Sequence, residues 1–183
     1  EKLCHQKSTI CDLSAAVTGV LLALNLPVSI PLWQAVFGGL VAIVAVKGLF
    51  GGIGKNFANP AITARIVMFL AFSKTMTAWV FPDAVSTATP LAMMANGEHV
   101  NYLTLLLGNH GGCIGETSAL ALLIGFAYLL IRGVITWHTP VCFVGTVFVL
   151  SLILGQDAVG QILSGGLMLG AIFMATDYST TPS

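Results

Sequence analysis

Residues 13–46 form a run of 34 positions without one Asp, Glu, Lys or Arg. A helix crossing a bilayer needs about 20 apolar residues, so this run is too long for one crossing and suits two short helices. Asn25, Leu26 and Pro27, with Pro31 close behind, stand where the break belongs, because these residues stop helices. Residues 117–131, 133–156 and 158–176 are further stretches of low charge. A soluble core could hold one such helix. Four or more in 183 residues leave too little charge to solvate an outside. Charged residues make up 8% of the chain and hydrophobic ones 56%, against about 25% charged in an average globular domain. Seven basic and seven acidic side chains balance to zero, so there is no basic footprint for nucleic acid.

The expectation is therefore an all-α polytopic membrane protein, one transmembrane domain over residues 1–183, with about six helical segments. They are read at 12–26, 31–47, 60–81, 116–132, 140–154 and 158–175, with a short apolar piece at 102–107. Asp12 and Ser14 are available to cap the first, and Pro60 opens the third at its first turn. Residues 82–101 read as a polar, small-residue loop. With no initiator Met and polar residues at both ends, the chain is expected to be a piece of a longer protein. Cys4, Cys11, Cys113 and Cys142 form no C-x-x-C pair and are expected as buried thiols, with no disulfide framework and no metal site. Gly166 and Gly170 are spaced for close helix packing.

Lys2 and Lys7 precede the first segment, and Lys47 and Lys55 follow the second. A hairpin would put all four on one side, which the positive-inside rule makes cytoplasmic. Residues 82–101, with Asp83 and Glu98 but no Lys or Arg, then lie extracytoplasmically.

Two Gly-rich stretches resemble each other. Gly52-Ile53-Gly54-Lys55-Asn56 precedes one apolar helix, and Cys113-Ile114-Gly115-Glu116-Thr117 precedes another. Lipid cannot satisfy an unwound backbone, so such turns must be buried in protein or line a cavity. Paired interruptions mark folds of two related halves with a site between them; chance similarity among small residues is the alternative. Under the first reading Lys55, Asn56, Asn59, His110 and Glu116 are candidates for an ion or second cofactor site, with the two turns facing each other. Under the second, Lys55 and Glu116 are boundary charges, and His110 is a hydrogen-bonded packing residue. Arg132, at a helix end, reads as a boundary anchor.

Residues 83–90, Asp-Ala-Val-Ser-Thr-Ala-Thr-Pro, gather three hydroxyls in a loop of small side chains. A Thr hydroxyl is a poor nucleophile unless activated, and read on composition alone this is a capped turn. The segments Phe50-Gly-Gly-Ile-Gly-Lys-Asn-Phe-Ala-Asn-Pro-Ala61, Asp83-Ala-Val-Ser-Thr-Ala-Thr-Pro-Leu91, Gly108-Asn-His-Gly-Gly-Cys-Ile-Gly-Glu-Thr-Ser118 and Gly165-Gly-Leu-Met-Leu-Gly-Ala-Ile-Phe-Met-Ala-Thr-Asp177 together resemble the D subunit of the Rnf ion-translocating ferredoxin:NAD⁺ oxidoreductase. They are also similar to the related B subunit of the Na⁺-translocating NADH:quinone reductase.

That resemblance implies a membrane component of the bacterial inner membrane, working with other membrane and peripheral subunits. It implies FMN joined through its phosphate to Thr89 by a flavin transferase, with Asp83, Ser86, Thr87 and Ala88 completing the acceptor motif. Thr87 and Ala84 stand where family members commonly carry Gly. Asp177 closes the last matching segment and is a candidate for contact with that flavin or with a second, riboflavin-like one. A cofactor-free channel or transporter of the same architecture, and a structural membrane component with an unmodified loop, are the rival readings.

Overall fold

The computed structural model describes residues 13–48, 56, 58–79, 89–108, 110–116, 118–164 and 166–177. Helix α1, Ser14–Leu24, ends at Asn25, whose Nδ2 donates to the Leu21 carbonyl at 2.7 Å and so satisfies one of the carbonyls left over at a helix end. Pro31 sits extended and lets α2, Leu32–Leu40, begin directly behind it. There is no stop after Leu40: the chain continues as a π-helical stretch, Val41–Gly48. Helix α3, Pro60–Ala71, opens as its sequence predicts, with Pro60 in the first turn and the Asn59 side chain accepting from Ala61 N–H at 3.0 Å and Ile62 N–H at 3.3 Å.

The expected third segment, 60–81, is not one helix. It breaks at Phe72 (φ −130°, ψ 45°), and α4, Ser73–Met76, starts afresh. The Phe72 ring packs edge-on against Trp33 at 5.2 Å and Phe37 at 5.6 Å, so aromatic packing holds the kink. Helix α3 lies against α1, α2 and the π-helical stretch, and Leu21, Leu22, Ala42, Val46, Ala61, Ala64 and Met68 are buried there. These elements, with Asp177, make one compact unit.

A second compact unit takes residues 78–176 with 27–29. Its first described helix, α5 (Pro90–Ala95), falls inside the segment expected as a loop. Thr89-Pro90 is a cap followed by Pro in the first turn, a helix-start signal hidden among small residues. Helix α6, Tyr102–Leu107, is capped by Asn101 and ends on Gly108 at φ 95°. Helix α7, Ala119–Ile131, starts three residues later than expected, because the Ser118 side chain caps it by accepting from Ala121 N–H. Helix α8, His138–Ile153, is followed by α9, Ala158–Leu163, which Asp157 caps. The expected last segment, 158–175, breaks at Ser164 (φ −104°, ψ 151°). It resumes as α10, Leu167–Leu169, and a π-helical turn, Gly170–Met174. Helix α9 touches α5, α6, α8 and α10 and is the hub of this unit.

Among the described residues every regular element is helical, and no helix is long and apolar enough to cross a membrane. The expected spans are shortened by the breaks at Phe72 and Ser164. Two packing expectations are also corrected. Among the described residues a Cβ at Gly170 would meet nothing within 4 Å, whereas the Phe173 ring lies 3.0 Å from the Cβ position of Gly125. Cys113 is buried but Cys142 is exposed.

Candidate functional site

Thr89 is the N-cap of α5, and its Oγ1 accepts from Ala92 N–H at 3.3 Å. It is half-buried, while the following Pro90 is buried. The hydroxyl oxygen is thus held at a fixed helix start. An ester oxygen at the same place could accept the same hydrogen bond, since esterification removes the proton and leaves lone pairs. Thr89 therefore fits a phosphoester. Asp83, Ser86, Thr87 and Ala88 lie outside the described residues, as does Lys55.

In the first unit, Asn59 does two jobs. Its Oδ1 caps α3, and its Nδ2 reaches Asp177 Oδ2 at 3.5 Å. The structure thus brings the last residue of one family-like segment to another, 118 positions away in sequence. Three residues before it, Asn56 is buried, and neither Oδ1 nor Nδ2 has a hydrogen-bond partner among the described residues. A buried amide without partners costs a few kcal/mol, and such a group calls for something to complete it.

In the second unit the turn between α6 and α7 buries His110, Cys113 and Glu116. Glu116 Oε1 accepts from Cys113 N–H at 2.8 Å, and the carboxylate folds back over Gly112, whose Cβ position lies 3.3 Å from Glu116 Cγ. His110 Nδ1 lies 3.3 Å from the Gly111 carbonyl, and its Nε2 is buried without a partner among the described residues. Glu116 is buried with its carboxylate turned into the chain. The expectation that the two Gly-rich turns face one another falls on residues 49–55, which lie outside the described residues.

Two other charges beside apolar segments are tied down in the first unit. Lys47 is buried and its Nζ donates to Ser14 Oγ at 2.5 Å. Arg65 donates to Asn25 Oδ1 at 3.2 Å.

One feature of the second unit has no counterpart in the sequence reading. A cavity of about 610 Å³ opens beside the C-terminal end of α5, lined by Met94, His99, Tyr102, Gln156, Asp157 and Gln161 among others. Ligand pockets run from about 300 to 1,000 Å³. Its polar centre is a hydrogen bond from the Tyr102 hydroxyl to Asp157 Oδ2 at 2.8 Å, while Asp157 Oδ1 accepts from Gly160 N–H at 3.1 Å. The Gly160 N–H, then the Tyr102 hydroxyl, hold the Asp157 carboxyl below its ordinary range, with His99 adding to the effect. The same bond to Asp157 pushes the Tyr102 phenol up.

The profile of the NQR2, RnfD, RnfE family matches residues 1–183. The chain belongs to that family. It is 47% identical over 190 residues to the D subunit of the Na(+)-translocating ferredoxin:NAD(+) oxidoreductase complex of Acetobacterium woodii, covering 100% of this chain and 60% of that protein. It is 37% identical over 205 residues to the D subunit of the proton-translocating ferredoxin:NAD(+) oxidoreductase complex of Clostridium ljungdahlii, covering 100% of this chain and 62% of the relative. It is 38% identical over 182 residues to the B subunit of the Na(+)-translocating NADH-quinone reductase of Azotobacter vinelandii, with 88% and 45% covered. The chain spans less than two thirds of the length of these relatives. The family match takes in every residue discussed above, and the fold divides them between two units: Asn56, Asn59 and Asp177 in the first, Thr89, His110, Glu116 and the cavity in the second.

No signal in the sequence joins residues 94–102 to 155–161. Tyr102 reads as the start of an apolar stretch and Asp157 as punctuation between two uncharged runs. Only the contact of α9 with α5 and α6 makes them neighbours.

Proposed function

We propose that this chain is the electron-carrying membrane component of an ion-translocating oxidoreductase complex, with FMN esterified to Thr89. The observation that carries the reading is the 47% identity, across the whole chain, to the D subunit of such a complex, with the acceptor threonine present at the matching motif and presented at a helix start. The flavin supplies the redox chemistry. The chain's own part is to fix the phosphoester oxygen through Ala92 N–H and to hold the cofactor in the second unit. A flavin transferase supplies the activation that a lone Thr lacks. Electrons pass to and from partner subunits, coupled to movement of Na⁺ or H⁺, the ions named for the Acetobacterium and Clostridium relatives.

A membrane setting is supported by which side chains are exposed. Helix α8 buries Ser151 and Pro140 while Val149, Leu152 and Ile153 lie at 53%, 57% and 74% exposure. In water that arrangement is inside out; against lipid it is the expected one. Residues 82–101 are assigned to the extracytoplasmic face of the inner membrane.

The buried Asn56 amide, without a partner among the described residues and in the same unit as Asn59 and Asp177, suits a second, non-covalent flavin of the riboflavin type. A primary amide offers one acceptor and two donors, and the pyrimidine edge of an isoalloxazine presents carbonyls beside an N–H. His110 and Glu116, buried in the other unit, are the candidate ion or proton site.

The test is a denaturing gel of the full complex, made with its flavin transferase and viewed by flavin fluorescence. The wild-type band fluoresces and the Thr89→Ala band does not, while both assemble. A dark wild-type band assigns the chain to the rival class, a cofactor-free channel or structural component.

A further inference from the structure

We propose that the cavity beside α5 seats the isoalloxazine ring of the flavin carried by Thr89, and that the hydrogen-bonded pair Tyr102–Asp157 sets that flavin's reduction potential. The inference rests on the proposed attachment at Thr89 and adds to it the place of the ring and the residues that tune it.

Reach comes first. Thr89 caps a helix of six residues, Pro90–Ala95, and Met94 and Ala95 at its far end line the cavity. Six residues at 1.5 Å per residue put the cavity's edge about 9 Å from the threonine. A phosphoribityl chain, which separates a flavin's ester oxygen from its ring, has comparable reach. Both ends are anchored: Pro90 is buried, and α5 packs on α9, which carries the opposite wall.

The chemistry of the walls matches a ring with one apolar and one polar edge. Met94, Ala95 and Val100 are apolar and adaptable. Gln156, Gln161, His99 and Tyr102 carry amide, imidazole and phenol groups. A thioether against an aromatic face is a favourable contact, and side-chain amides satisfy both donors and acceptors on a heterocycle's edge.

The charge is the specific part. Asp157 stays ionised because its carboxylate is held by Gly160 N–H and Tyr102 O–H, and Glu98 is a second acid in the cavity lining. A fixed negative charge close to a ring opposes the addition of electrons to it and so lowers its potential. The Tyr102 hydroxyl partly offsets that charge by donating to it. The two side chains therefore act on the ring with opposite signs. They are positioning residues, acting through the field rather than on a reacting atom.

The experiment is spectroelectrochemical titration of the assembled, full-length complex, with the Thr89→Ala complex subtracted to isolate the Thr89 flavin. Asp157→Asn keeps a helix cap, since Asn and Asp serve equally there, and removes the charge; the midpoint potential rises. Tyr102→Phe removes the donor and leaves the charge; the midpoint falls. Opposite shifts with an intact fluorescent band support the proposal, and a loss of packing alone does not produce them. Any other pattern, an unchanged or reversed shift in either variant included, overturns it. Where Asp157→Asn fails to assemble, Tyr102→Phe alone decides: a fall supports the proposal, and an unchanged or raised potential overturns it. A wild-type band without flavin fluorescence is a different failure, which removes the attachment and the ring's seat with it.

Discussion

The Lys47 ammonium donates to the Ser14 hydroxyl at 2.5 Å, joining the end of the π-helical stretch to the start of α1. The first two helical segments therefore run antiparallel as a hairpin. Lys47 is buried and holds the hairpin shut. Ser14→Ala takes away a hydrogen bond to a charged group, a contribution of about 2 kcal/mol. The expected outcome is a lower melting temperature for the purified complex, with Ser14→Thr close to wild type. Equal stability of the alanine variant would mean that Lys47 gains nothing from Ser14.

Gly38 allows α2 to lie on α3. A Cβ there would overlap Met68 Sδ, and Met68 is fully buried, so the thioether has no open space to move into. Gly38→Ala should cost about 1–3 kcal/mol by overpacking. Met68→Ala leaves a cavity and is destabilising on its own, but the new methyl partly fills it. The double variant should therefore be less destabilised than the sum of the two single ones, by a margin that thermal unfolding resolves. Strict additivity would place the two residues out of contact.

Gly160 is needed for a different reason. A Cβ there would sit 2.6 Å from Asp157 Oδ2 and would overlap Met94 Sδ. Gly160→Ala should push the carboxylate off its cap and off Tyr102, at about 1 kcal/mol for the lost cap. The sign with pH follows from the lowered Asp157 pKa. A depressed carboxyl stabilises the fold above its unfolded value, about 3.9 for Asp, and that contribution disappears as pH falls through the folded value. The wild type should lose this advantage in acid, and Gly160→Ala should lack it at neutral pH. The difference in melting temperature between them should shrink as pH drops; a constant difference would exclude Asp157 as its cause.

How much of the fold is legible in the sequence depends on whether the signal is local. Asn59-Pro60 announces the start of α3, and Ser118 caps α7 three residues beyond the start expected at Glu116, because cap chemistry acts within one turn. The breaks at Phe72 and Ser164 carry no such mark. Phe72 is an ordinary helix residue until Trp33 and Phe37 pack on its ring, and Ser164 turns with its own Oγ bonding the Gly160 carbonyl at 2.5 Å. Thr89 is found through a motif. The cavity next to it is not, since its two walls come from stretches about 60 residues apart that no periodicity connects.

Topology has its own test. Asn96 is exposed at the end of α5. In a background where the exposed Cys142 is replaced by Ser, a cysteine substituted for Asn96 should react with a membrane-impermeant thiol reagent in intact cells. Reaction only after lysis would put residues 82–101 on the cytoplasmic side.

The attachment at Thr89 is read from the mass of the proteolytic peptide spanning residues 83–96, taken from the complex assembled with its flavin transferase. This peptide should carry the added mass of FMN, less the water lost on forming the ester, with fragmentation placing it on Thr89. An unmodified peptide from a fully assembled complex, or an adduct on Ser86 or Thr87, would contradict it.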